Sequence, residues 1–142
     1  MPKIFNTFSA LTSAKNSRFY HHSHAWIDLD SGKCGLTNYA LRVPNYNPKR
    51  FMPYALREIA TGGSLGIIIL EPTKKPESTQ PIYYIKPIVS PVGGKIVGVN
   101  SAPLHEVVDF NSHWLFELID VKVHPSQLMT HNEYFAECEK LD

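Results

Sequence analysis

The sequence predicts a single small, mainly β domain that ends in a short helix. Three observations carry this: a one-domain length, short apolar runs punctuated by Gly and Pro, and a change of periodicity near the C-terminus. At 142 residues the chain is long enough for one compact core and too short for two. Hydrophobic residues make up 43% and charged residues 19%, a balance that favours folding over disorder.

The elements follow in order. Ala25 to Leu29 and Lys33 to Thr37 read as strands flanking Asp30-Ser31-Gly32, a hairpin connection in which Gly supplies the positive φ. The stretch from Ala40 to Thr61 is irregular, because Pro44, Pro48 and Pro53 break long elements; Tyr54 to Ala60 is expected to form one or two helical turns. Gly62-Gly63-Ser64-Leu65-Gly66 reads as a turn into a strand. Gly66 to Leu70 is a continuous apolar run suited to a buried strand, and Ile82 to Ile85 is β-branched and aromatic. Gly93-Gly94 is expected to make a tight turn before a strand from Lys95 to Val99. Trp114 to Ile119 alternates, which puts Trp114, Phe116 and Leu118 on one face. Thr130 and Glu133 have capping-box spacing, and Tyr134, Cys138 and Leu141 then share a helical face. Trp26, Tyr83, Trp114 and Phe116 are expected in or at the edge of the core.

Charge and motifs exclude several functions. A net charge of +1 and a pI near 7.8 give no electrostatic footprint for nucleic acid. No apolar run approaches the ~20 residues of a membrane-spanning helix. Cys34 and Cys138 are too few and too far apart for a disulfide framework or a metal-site spacing, and read as small buried hydrophobes. His21, His22 and His24 cluster, but no carboxylate or cysteine accompanies them at ligand spacing, so no metal site is assigned. Glu71, Glu106 and Asp109 make no persuasive acid/base pair, and there is neither a nucleophile elbow nor a phosphate loop. No catalytic residue is assigned.

The N-terminus reads as an address. No Asp or Glu occurs from Met1 to Ile27, while Lys3, Lys15 and Arg18 alternate with Ser, Thr and apolar residues. That is the composition of a mitochondrial transit peptide. Residues 1–20 are therefore assigned as a targeting lead, with processing at Arg18-Phe19-Tyr20, and residues 21–142 as the domain.

His24-Ala25-Trp26, then Gly35-Leu36-Thr37-Asn38-Tyr39-Ala40, resembles the H-E-W and G-I-T/S-D/N-Y/F-A motifs of the glycine cleavage H protein family. Ser90-Pro91-Val92-Gly93-Gly94-Lys95-Ile96 with Val99-Asn100 resembles its S-P-V-S-G-E-V…V-N stretch. Trp114-Leu115, Pro125-Ser126-Gln127-Leu128 and Tyr134 resemble its W-L, P-S-E-L and final E-Y. The matches keep family order from about residue 20 to residue 136.

The resemblance implies a lipoyl-type flattened β-barrel (a barrel-sandwich hybrid) and a carrier rather than a catalyst. In that family a hairpin-tip lysine in E-S-V-K-A carries lipoate. The arm shuttles an aminomethyl group from glycine decarboxylase to aminomethyltransferase and is reoxidised by dihydrolipoyl dehydrogenase. Here Glu71-Pro72-Thr73-Lys74-Lys75-Pro76 occupies the matching place. Lys74 keeps the family spacing after Glu71 and is the candidate lipoyl-lysine; Lys75 is second. Pro72 and Pro76 bracket the lysines, and the stretch from Glu71 to Ser90 is longer than the family's. Counted back from Ser90 without a gap, the lysine position falls on Tyr83, with Lys86 nearby. Two expectations follow: a diverged mitochondrial H-like domain without lipoate, serving as a structural subunit of a larger complex, or a working carrier on lipoyl-Lys74.

Overall fold

The computed structural model describes residues 17–74 and 82–141. Ten strands are found there: β1 (Arg18–His21), β2 (Ala25–Asp28), β3 (Lys33–Leu36), β4 (Tyr46–Pro53), β5 (Glu58–Ile59), β6 (Ser64–Pro72), β7 (Tyr84–Val89), β8 (Gly93–Val99), β9 (Phe116–Lys122) and β10 (Leu128–Met129). Helix α1 (His131–Leu141) follows them. The strands form two antiparallel sheets, a seven-stranded one ordered β10-β1-β2-β3-β9-β8-β5 and a three-stranded one ordered β4-β6-β7. The mainly β class and the C-terminal helix are as expected, but the sheets stay separate and no closed barrel is seen among the described residues.

Strand alternation builds two cores on opposite faces of the large sheet. Phe19, Ile27, Cys34, Leu36, Phe116 and Leu118 point toward the small sheet and meet Leu65, Ile68, Leu70 and Ile88 from it. Phe51 closes this interface with its ring edge-on to Phe116, the centroids 5.4 Å apart. On the other face, Tyr20 and Trp26 pack with Tyr134 and Cys138 of α1. The capping box that starts α1 is formed in both directions: Thr130 N–H donates to Glu133 Oε1 at 2.9 Å, and Glu133 N–H to Thr130 Oγ1 at 3.3 Å. Tyr134 and Cys138 face inward as expected, whereas Leu141 is 65% exposed.

Several local expectations are corrected. Tyr54 to Ala60 forms no helix; β5 and irregular backbone occupy it. Pro48 and Pro53 are instead absorbed by β4, which is an edge strand with a register shift between Pro48 and Arg50. An edge strand tolerates a missing donor, and the bulge takes up the misfit. Gly93 and Gly94 open β8 rather than forming a turn, and glycine suits the second position because a Cβ there would come within 2.9 Å of the Ile119 carbonyl oxygen. Trp114 precedes β9 and leaves the face of Phe116 and Leu118, packing half-buried on the α1 side. The β2–β3 connection does turn on Gly32, whose φ is +75° and whose missing Cβ leaves room for the Leu118 carbonyl.

β1 was not expected as a strand. It lies between β10 and β2, with Phe19 and Tyr20 buried, inside the stretch the sequence reading assigned to a targeting lead.

Candidate functional site

The end of β6 carries the residues singled out by the sequence. β6 stays paired with β4 as far as Tyr46↔Pro72, but its last partner in β7 is Leu70↔Tyr84. Leu70↔Tyr84 is the last β6–β7 pair among the described residues, and the segment where the resemblance implies a tight hairpin tip lies largely outside them. Thr73 N–H donates to the Asn45 carbonyl at 2.8 Å and holds the strand end to the β4 side. Lys74 follows and is exposed; Lys75 lies outside the described residues. Glu71 sits at the same strand end, 3.3 Å from Lys49 Nζ of the β4 bulge. Glu71 and Lys74 are therefore brought to one end of the small sheet. Lys86 lies elsewhere, opposite Ile68 within β7. Tyr83 is 46% exposed, a surface residue instead of the expected core aromatic.

The outer face of the small sheet is apolar. The residues that alternate with buried Ile68 and Leu70 are Ile67 and Ile69. Across the strands, Ile67 stands beside Met52 and Pro87, and Ile69 beside Arg50 and Ile85. Ile85 is 61% and Met52 40% exposed, and Ile82, just before β7, reaches 75%. Contiguous exposed apolar surface of this kind marks an interaction site more often than scattered surface hydrophobes do. Both edges are blunted, by Pro87 in β7 and by Pro48 and Pro53 in β4, which disfavours edge-to-edge strand pairing.

A second polar constellation lies under α1. His24 adopts φ +69°, a left-handed backbone that costs a non-glycine residue of order 1 kcal/mol or more and persists where its surroundings hold it. Here the Tyr134 hydroxyl bonds His24 Nδ1 at 2.9 Å and Thr37 Oγ1 at 2.7 Å, tying the β1–β2 turn and the residue after β3 to the helix. A cavity of about 240 Å³ opens beside it, lined by His22, His24, Met129, Tyr134, Glu137 and Cys138 among others. Burial, then the Lys86 ammonium and His22, hold His24 below the ordinary imidazole range; burial likewise pushes the Tyr134 phenol up. Sequence reasoning assigned His24 to a motif and Tyr134 to a buried helix face. It did not join them, although a buried phenol requires a polar partner and only side chains near α1 could supply one.

His21 and His113 are also held low by burial, with His22 adding to the effect at His21. A histidine whose folded pKa is depressed binds fewer protons than the unfolded chain once pH falls below about 6.5. Stability should thus decline as pH falls from 7 to 5, a window in which Asp28 and Asp109, both held below the usual carboxylate range, stay ionised. Urea unfolding at pH 7.5 and 5.5 checks this. A midpoint that does not fall at pH 5.5 contradicts neutral burial of these imidazoles.

Both thiols are buried and free, with burial pushing Cys34 up to about 12. Among the described residues no group of three or more His, Cys, Asp or Glu side chains is arranged to hold a metal ion, and no helix is long and apolar enough to cross a membrane. No protein-family model, no curated protein and no solved structure matches this chain.

Proposed function

We propose that this chain is a diverged H-like domain whose work is docking: a non-catalytic, structural subunit of a larger mitochondrial assembly, with Lys74 unlipoylated. The observation that carries this reading is the apolar outer face of β4-β6-β7, which runs on to exposed Ile82, beside a stretch from Glu71 to Ser90 that is longer in sequence than the family's. A lipoylating enzyme needs a lysine held on a rigid, short turn, whereas a docking subunit needs exposed apolar surface on a rigid sheet. The ordered family-like motifs supply the H-like part of the reading, with the two packed sheets taken as an opened form of the lipoyl-type flattened barrel. The acid-free lead supplies the mitochondrial part.

One observation favours a second reading. Lys74 is exposed and stands at the end of β6 beside Glu71, where a lipoyl-lysine would be presented. In that case the chain is a carrier working with glycine decarboxylase, aminomethyltransferase and dihydrolipoyl dehydrogenase, and the cofactor supplies the reactive dithiol.

Two variants separate the readings. Ile69→Asp with Ile85→Asp places carboxylates on the outer face at positions outside the inter-sheet core. It should leave the far-UV spectrum and melting temperature nearly unchanged, yet release the chain from its high-mass fraction in gel filtration of its own cell extract. Central interface residues are worth about 2 kcal/mol or more each, roughly 30-fold in affinity. Lys74→Arg keeps the charge but cannot form the lipoyl amide, and should change neither the elution position nor glycine cleavage. Loss of glycine cleavage in Lys74→Arg would establish the carrier instead, and retention of the double variant in the high-mass fraction would remove the sheet face as the docking surface.

A further inference from the structure

A groove at the β4 edge of the small sheet shares Arg50 with the outer face but does not depend on the docking reading. It lies between β4 and the loop that follows β8, and encloses about 310 Å³, the lower end of the size range for small-molecule pockets. Its floor and walls are apolar, from Phe51, Val99 and Leu104, and its charged groups are Lys49 and Arg50. Among the described residues no carboxylate lines it.

The walls are fixed before any ligand arrives. Phe51 is locked edge-on against Phe116, and Leu104 is buried. The loop is braced by Asn100, whose Nδ2 donates to the Trp114 carbonyl at 2.9 Å while its Oδ1 accepts from Ala102 N–H at 3.1 Å. The two cations are not equivalent. Lys49 is shared with Glu71 at 3.3 Å, which cancels most of its charge locally. Arg50 has no ion-pair partner among the described residues, and its planar fork of donors suits a carboxylate. The groove therefore presents about one net positive charge over an apolar pocket.

The geometry points to a binding site for a small monocarboxylate with an apolar body, its carboxylate on Arg50 and its body against Phe51 and Leu104. A dianionic phosphate monoester matches less well, because Glu71 stands behind Lys49 and repels the second charge.

The test is a ¹⁵N–¹H NMR titration of the full chain with phenylacetate as probe, against phenylacetamide and phenyl phosphate. Saturable shifts are expected below ~10 mM, confined to residues 49–53 and 99–104. Phenylacetamide, which lacks the charge, and phenyl phosphate should both bind more weakly, the amide by about tenfold or more. Arg50→Gln should weaken phenylacetate by a similar factor while keeping the dispersed spectrum of a folded chain. Ser101→Glu, which adds a carboxylate at the mouth, should do the same without removing a cation. Shifts that do not saturate, that map elsewhere, or that are equal for acid and amide overturn the site. So does undiminished binding by Arg50→Gln, and tighter binding of phenyl phosphate overturns the choice of a monoanion.

Discussion

A chain that begins at His21 is expected not to fold. It lacks Arg18, Phe19 and Tyr20 of β1, a strand with partners on both sides through Tyr20↔Met129 and Phe19↔Ile27. Phe19 is 2% and Tyr20 3% exposed, and they serve different cores, Phe19 between the sheets and Tyr20 stacked on Tyr134 at 4.7 Å. Truncating one large buried side chain costs about 3–5 kcal/mol. Losing two of them, with the ladder bonds of β1, consumes most of the 5–15 kcal/mol that holds a typical domain together. Near-UV circular dichroism and proton NMR of residues 21–142 should show lost tertiary packing, against a folded chain starting a few residues upstream of Ser17. A cooperative melt at the same temperature for both would contradict the placement of β1. If a targeting lead is removed in mitochondria, the cut that leaves a folded product falls upstream of Arg18.

Trp26→Ala is the most damaging single substitution expected. The ring is 2% exposed; its Nε1–H donates to the Phe110 carbonyl at 3.2 Å, and the Arg18 guanidinium lies 3.8 Å from the ring centroid. Removing it costs about 3–5 kcal/mol for the cavity. The lost indole hydrogen bond adds little to this, because the Phe110 carbonyl also accepts the His113 N–H at 3.2 Å. Trp114→Ala should cost less, because that ring is half-buried at the rim of the α1 cluster. Urea unfolding of both variants checks the order. A larger loss from Trp114 than from Trp26 would contradict the assignment of Trp26 to the centre of that cluster.

Much of the fold was legible where local chemistry dictates it. Gly32 had to occupy a positive-φ turn, the run from Gly66 to Leu70 had to be a buried strand, and Thr130 with Glu133 had to start a helix. What was not legible depended on tertiary position. Arg18 to His21 has no flanking turn signals, and its basic, acid-free context reads as an address; only pairing on both sides makes it a strand. The prolines of β4 argue against a strand until the strand is known to be an edge. Glu71 and Lys74 share one end of the small sheet as neighbours in sequence must, whereas the apolar outer face depends on cross-strand partners that a linear reading cannot align. The bond from Tyr134 to His24 spans 110 residues and has no local signature.

The most direct test of the docking reading is the intact mass of the chain isolated from its own cells, with fragmentation from Glu71 to Lys86. The account predicts unmodified Lys74 and Lys75 in a chain recovered with a high-mass assembly. A lipoyl-sized increment on either lysine would contradict it and make the chain a working aminomethyl carrier.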